Sequence, residues 1–198
     1  MSKNIYMQKI GKKAKIASSH LSNIDIIKRN SVLEQFNLYL KKNSQLILNS
    51  NKKDISKAKL KKIKNNMIDR LSLNKKKIDQ IQKSIKEIIK FKDPLGKTLS
   101  SWKRPNGLTI KRISIPIGVI GVIYESRPNV TSDVSALCFK TGNVVILRGG
   151  SEAFHTNKIL AKLFKKALKK KGCDENCVQF IEDKNRKNVD YLLSNMKN

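Results

Sequence analysis

Residues Ile115 to Ala153 read IPIGVIGVIYESRPNVTSDVSALCFKTGNVVILRGGSEA. Two apolar, strand-like stretches lie within them, Gly118 to Tyr124 and Asn143 to Leu147. A polar turn and the short helical pattern VSALCFK separate the two. Strand, turn, helix and second strand make the βαβ unit of a doubly wound parallel sheet. Ligands of such sheets sit outside the carboxyl ends of the strands, where backbone groups and helix starts are left free. The stretches beyond those two ends are Glu125 to Asn129 and Arg148 to Glu152, so any chemistry is expected to cluster there.

Downstream, Glu152 to Lys171 carries Ile159, Leu160, Leu163, Phe164, Ala167 and Leu168 on one helical face. Ser151 stands at its N-cap position and Gly172 ends it. Val178 to Ile181 reads as a third strand and Arg186 to Met196 as a third helix, completing the order β-α-β-α-β-α. Upstream, the first ninety residues read as helices. Ile27, Val32, Phe36 and Leu40 recur at near-helical spacing, and Leu46 to Leu48 are expected to close a helix before the Asn49-Ser50-Asn51 break. From Asn74 to Phe91 the stripe Ile78, Ile81, Ile85, Ile88 and Ile89 faces away from lysines, with Asn74 as N-cap. Burying such isoleucines stabilises by roughly 1.5–3 kcal/mol each, so the stripe must meet a core or a subunit. Asp93-Pro94 and Gly96 then stop the helix. Leu99 to Trp102 and Leu108 to Ser114 flank Arg104-Pro105-Asn106-Gly107, a hairpin pattern in which Asn-Gly supplies the positive φ of a tight turn. The expected fold class is α/β: a helical N-terminal segment over 1–97, hairpin-like strands over 98–115, and a Rossmann-like parallel sheet over 116–198.

Charge is the most conspicuous compositional feature: 43 basic against 15 acidic side chains, a formal +28. Such an excess suits phosphate neutralisation on nucleic acid or an anionic membrane. Residues 52 to 90 carry 14 basic and 4 acidic groups, net +10, which leaves +18 for the remainder. The excess is thus enriched in one segment but present everywhere, and that segment nearly lacks aromatics for base stacking. A lysine-rich bias over solvated faces is the favoured reading, and a nucleic-acid partner is not. Three cysteines, Cys138, Cys173 and Cys177, and a polar N-terminus without a secretory leader are expected of a cytoplasmic protein. No apolar run approaches the length that spans a bilayer, and no membrane association is expected.

Several segments together resemble one family. DRLSL (Asp69 to Leu73), DPLG (Asp93 to Gly96), PNGL (Pro105 to Leu108), PIGVIGVIYESRPNV (Pro116 to Val130) and GNVVILRGGSEA (Gly142 to Ala153) are similar to gamma-glutamyl phosphate reductases, of the aldehyde dehydrogenase superfamily. The resemblance is collinear from about Ala14 to Asn195. It implies NADPH-dependent reduction of L-glutamyl 5-phosphate to L-glutamate 5-semialdehyde with phosphate release, a step of proline biosynthesis. NADP is the implied cofactor, 98–115 the implied oligomerisation strands of a homo-oligomer, and 116–198 the implied NADP-binding domain. Family members continue into a catalytic domain with the nucleophilic cysteine. The expectation is that this chain matches the amino-terminal half, lacks that thiol and is inactive alone.

Under this resemblance Asn129 matches the amide that helps hold the oxyanion of the tetrahedral intermediate. A neutral donor at a strand end suits that task; the plainer reading is an Asn that bonds the turn backbone after Pro128. Arg148, with Ser151 and Glu152, matches the region that meets the adenosine ribose, where a guanidinium can grip a 2′-phosphate bidentately. Gly149 and Gly150 would let the backbone approach a ligand, and Glu152 either accepts from a ribose hydroxyl or favours the helix start. Ser126, Arg127 and Pro128 are expected on the nicotinamide side of the cleft. Arg127 alternatively faces the substrate's phosphate or carboxylate, or pairs with Glu125 or Asp133. Cys138 reads as a buried, inert thiol, and Cys173 and Cys177 are expected to hold no metal. A rival reading is a nucleotide-binding or basic RNA-associating module without catalysis.

Overall fold

The computed structural model describes residues 4–194. Five helices come first: α1 (Ile5–Leu21), α2 (Ile26–Lys42), α3 (Ser44–Leu60), α4 (Asn65–Leu71) and α5 (Lys75–Lys90). Strands β1 (Thr98–Lys103) and β2 (Thr109–Ile113) follow, then β3 (Val119–Tyr124), α6 (Pro128–Lys140), β4 (Val144–Gly149), α7 (Phe154–Lys170), β5 (Val178–Phe180) and α8 (Lys187–Ser194). Short polar side chains start several helices, as orphan backbone donors require. Asn4 accepts from the Met7 amide, Asp25 from Lys28 and Asn74 from Lys77. Ile78, Ile81, Ile85 and Ile88 are buried as their spacing requires.

The antiparallel pair β1–β2 turns at Gly107, whose φ of +86° matches the Asn-Gly expectation. The second sheet is parallel, in the order β3-β4-β5. Ile123 lies opposite Arg148, and Leu147 opposite Phe180. Every residue of β4 is buried, as a central strand flanked on both sides demands. Helices α6 and α7 pack on each other against this sheet, and α2, α3 and α5 form a further layer over them. Helix α1 packs against β3 and β4 and meets α8. Apart from the exposed β1–β2 pair, these elements share one core, in which the Phe164 ring lies 4.6 Å from Phe36 and 5.8 Å from Phe139.

Four sequence expectations need correction. Helix α3 does not end at Asn49-Ser50-Asn51 but runs to Leu60. Asn51 is buried there, its amide donating to the Leu71 carbonyl and Thr156 and its oxygen accepting from the Leu73 amide. A turn-forming residue is kept helical by tertiary partners. Ile27 is exposed, and Arg29 fills the inward position on α2. Its guanidinium pairs with Asp93 at 2.6 Å and caps the end of α6 through the Lys140 carbonyl. Strand β4 extends through Arg148 and Gly149, because β3 pairs with it as far as Tyr124. Ser151 is not the N-cap of α7: residues 151–153 form a 3₁₀ turn, and buried Asp54 of α3 accepts from the His155 and Thr156 amides instead. The expected third helix is realised as α8; Met196 lies outside the described residues.

Candidate active site

Parallel pairing leaves the carboxyl ends of β3 and β4 side by side, so the two loops that leave them must meet. A carboxylate joins them. Ser126 donates to Glu152 Oε2 at 2.9 Å, and Ser151 donates to Glu152 Oε1 at 2.8 Å. Burial, the largest influence on Glu152, raises its pKa. Hydrogen bonds from Ser151, its own backbone amide and Ser126, with the charge of Lys61, outweigh that and hold the carboxyl below its ordinary value. Gly150 lies beside this junction. A Cβ there would lie 2.9 Å from Glu152 Oε2, 3.0 Å from Ser126 Oγ and 3.4 Å from the Glu125 carbonyl carbon.

Beneath this crossing runs a buried polar chain. The Tyr124 hydroxyl lies 2.7 Å from Thr131 Oγ1, which donates to Asn157 Oδ1 at 2.9 Å. Burial pushes Tyr124 up to about 12, against the lesser influences of Thr131 and Arg148, so its phenol stays neutral. A Cβ on Gly149 would collide with the Asn157 amide and come within 3.0 Å of Tyr124. The loops therefore stand on a platform whose geometry is fixed from below.

Of the residues singled out in sequence, Ser126, Ser151 and Glu152 are brought together. Pro128 is buried as the first residue of α6, a position that suits its missing N–H. Arg127 is exposed and makes no ion pair with Glu125 or Asp133 among the described residues. Asn129 is exposed on the first turn of α6 and donates to Asp133 Oδ2 at 3.2 Å. Burial raises the Asp133 pKa, and the Asn129 bond opposes it. Arg148 turns inward from β4: Nη1 donates to the Gly149 carbonyl at 2.7 Å and Nη2 to the Lys184 carbonyl at 3.0 Å. Its guanidinium ties the loop after β5 to the end of β4.

Beside Ser151 and Glu152 opens a cleft of about 90 Å³, lined by α3, the start of α7 and Lys184. Neither Arg148 nor Asn129 lines it. A more open cleft of about 380 Å³ lies by α1 and β5, among Tyr6, Lys9, Lys13 and Lys165. Sequence reasoning did not find Asp54, Thr131 or Asn157. Asp54 sits in a lysine-rich helix about a hundred residues from its partners, and nothing local marks it.

The aldehyde dehydrogenase family model matches residues 3–197. The chain belongs to the aldehyde dehydrogenase family. It is 45% identical over 187 residues to the gamma-glutamyl phosphate reductase of a Nitratiruptor species, covering 94% of this chain and 45% of that protein. With the Clostridium tetani protein of the same name it shares 43% identity, over 96% of this chain and 44% of the relative. The chain thus spans a little under half the length of these relatives. The crystal structure of the Thermotoga maritima gamma-glutamyl phosphate reductase superposes with a TM-score of 0.90 at 39% identity, over 92% of this chain and 44% of that one. The Saccharomyces cerevisiae structure gives 0.86 at 33%, over 93% and 47%. The α/β arrangement described above is accordingly that family's fold.

The three thiols lie away from the carboxyl ends of the strands: Cys138 is in α6, and Cys173 and Cys177 precede β5. Cys138, Cys173 and Cys177 are buried and unpaired. Burial raises all three, Cys138 to about 11 and Cys177 to about 12, where Asp174 and Cys173 add to the effect. Protonated, inaccessible thiols are poor nucleophiles. Among the described residues no group of three or more His, Cys, Asp or Glu side chains is placed to hold a metal ion, and no helix is long and apolar enough to cross a membrane.

Proposed function

We propose that this chain supplies the NADP-binding part of a gamma-glutamyl phosphate reductase, which reduces L-glutamyl 5-phosphate to L-glutamate 5-semialdehyde and releases phosphate. The observation that carries the reading is the junction of the loops that leave two adjacent parallel strands, where Glu152 accepts from Ser126 and Ser151 beside an open cleft. A dinucleotide on a parallel sheet lies across such adjoining carboxyl-end loops. When bound, NADPH supplies hydride. The residues of this chain bind and orient it.

In this proposal Glu152 holds a ribose hydroxyl, its carboxylate fixed by Ser126 and Ser151. A carboxylate held below its ordinary pKa remains an acceptor at neutral pH, as that role needs. Ser126, Arg127 and Pro128 present backbone to the nicotinamide side. Asn129 turns its amide from Asp133 to the substrate oxygen as negative charge develops on it; losing one such donor costs about 10²–10³ in rate. Arg148 acts through the Lys184 loop, since both its terminal nitrogens already serve main-chain carbonyls. The attacking thiol is none of Cys138, Cys173 or Cys177, whose burial keeps them protonated. Self-association uses the β1–β2 hairpin, where Leu99, Trp102, Leu108 and Ile113 are exposed.

A fluorescence titration with NADPH tests the reading. The folded chain binds saturably, and Glu152→Ala weakens binding at least about tenfold, the worth of one charge-assisted hydrogen bond. A folded chain that shows no saturable binding contradicts it.

A further inference from the structure

We infer that Lys57 of α3 and Lys61 just past its end, with Lys184 of the loop after β5, form a phosphate-monoester subsite that makes the chain select NADPH over NADH. The inference rests on the cofactor reading above and names the residues that would discriminate between the two dinucleotides. All three lysines line the 90 Å³ cleft that also holds Ser151 and Glu152. That volume is well below the ~300–1,000 Å³ of a pocket for a whole ligand, so it suits one group projecting from a ligand bound alongside.

The cations converge from two separate elements, and other contacts hold them there. Lys57 Nζ lies 2.8 Å from His155 Nε2, and Lys184 Nζ sits 4.3 Å from the centre of the Phe154 ring. Lys61 is close enough to Glu152 to help lower its pKa. His155 itself is held below its ordinary value, first by burial and then by Lys57, Lys184 and Lys53, against the opposing pull of Asp54. At neutral pH the ring is therefore uncharged and accepts a hydrogen bond from Lys57 rather than repelling it.

The acidic groups nearby are bonded by neutral donors and keep their charge. Asp54 is buried and accepts from the start of α7 on both oxygens. Glu152 accepts one bond on each oxygen, from Ser126 and Ser151. With His155 neutral, the three lysines outnumber the two carboxylates by one, so the cleft keeps a net charge of +1 next to the carboxylate proposed to hold the adenosine ribose. A 2′-phosphate is the part of NADPH that lies at that ribose and that NADH lacks. Arg148 serves here as a positioning residue: its bond to the Lys184 carbonyl fixes the loop that carries the third cation.

The test uses the full chain and its Lys57→Gln, Lys61→Gln and Lys184→Gln variants, each checked for folding by circular dichroism. Affinities for NADPH, NADH, 2′,5′-ADP and 5′-AMP are measured by calorimetry. The wild-type chain prefers NADPH to NADH, and 2′,5′-ADP to 5′-AMP, by about tenfold or more. Each substitution lowers NADPH affinity about 3- to 10-fold, the triple variant abolishes the preference, and NADH affinity stays within about twofold. Lys83→Gln and Lys86→Gln, exposed on α5, serve as controls for bulk charge and change neither affinity. Equal affinity of the wild type for NADPH and NADH overturns the subsite while the cofactor reading stands. So does an equal effect of the control substitutions. A wild-type chain that binds neither dinucleotide removes the cofactor reading and the subsite with it.

Discussion

Replacing Gly150 by alanine perturbs the junction of the two strand-end loops. The backbone there, φ −57° and ψ 150°, is open to any residue, so the substitution carries no conformational penalty. In the unfolded chain alanine is stiffer than glycine, which by itself stabilises by about 0.4–1 kcal/mol. Against this, the new methyl would press on Ser126 Oγ and Glu152 Oε2, at 3.0 and 2.9 Å, and force apart the bond that joins the loops. A hydrogen bond to a charged group contributes about 1.5–3 kcal/mol; with Glu152 half-buried, the lower end applies. The net expectation is a loss of about 1 kcal/mol, or roughly 2–4 °C in Tm for a chain of this size. The decisive assay is a double-mutant cycle by urea denaturation with Ser126→Ala. Once the hydroxyl is gone there is no bond to break, and Glu152 can swing aside, so Gly150→Ala becomes neutral or mildly stabilising. If Gly150→Ala stabilises the wild-type chain, or costs the same in both backgrounds, the loops are not joined as described.

Other consequences are simpler to state. Phe164→Ala removes the ring that contacts both Phe36 and Phe139 in the shared core, and should cost about 3–5 kcal/mol in chemical denaturation. At pH 8 the folded chain should react negligibly with a thiol reagent and expose three reactive thiols only on unfolding, because burial holds Cys138 and Cys177 at about 11 and about 12. Stability should fall with acidification through the histidine range. The folded-state pKa of His155 is depressed by burial and by Lys57, Lys184 and Lys53, so its contribution is complete above the unfolded value of ~6.5 and declines as pH drops through it toward the folded one. A thermal scan from pH 7.5 to 5.5 measures this, and His155→Gln should flatten the slope; an unchanged slope would show that the ring is not held neutral.

How much of this was legible in the sequence depends on whether its cause was local. The α5 stripe, its Asn74 cap and the Asn-Gly turn follow from spacing and backbone preference, and they stand where expected. The parallel β3-α6-β4 unit was equally plain, because unbroken apolar strands flanked by turn residues admit few alternatives. What failed was what tertiary partners decide. Asn51 reads as a helix breaker yet is held helical by Leu71, Leu73 and Thr156. Ser151 reads as a cap, but a buried aspartate on α3 does that work. The same holds at the site. Ser126 and Glu152 could be named from the strand ends, whereas the direction of Arg148 depends on a carbonyl 36 residues further along. Lys57 and Lys61 were indistinguishable in sequence from the other lysines of residues 52–90. Only the packing of α3 on α7 separates Lys57 and Lys61 from a solvated majority.

The most direct measurement is an NMR titration of the isotope-labelled chain with NADPH. Saturable shifts are expected at Ser126, Gly150, Ser151 and Glu152, with Lys61 and Lys184 moving for NADPH and not for NADH. Shifts confined to the larger cleft by Lys9, Lys13 and Lys165, or spread evenly over the lysines, would contradict it.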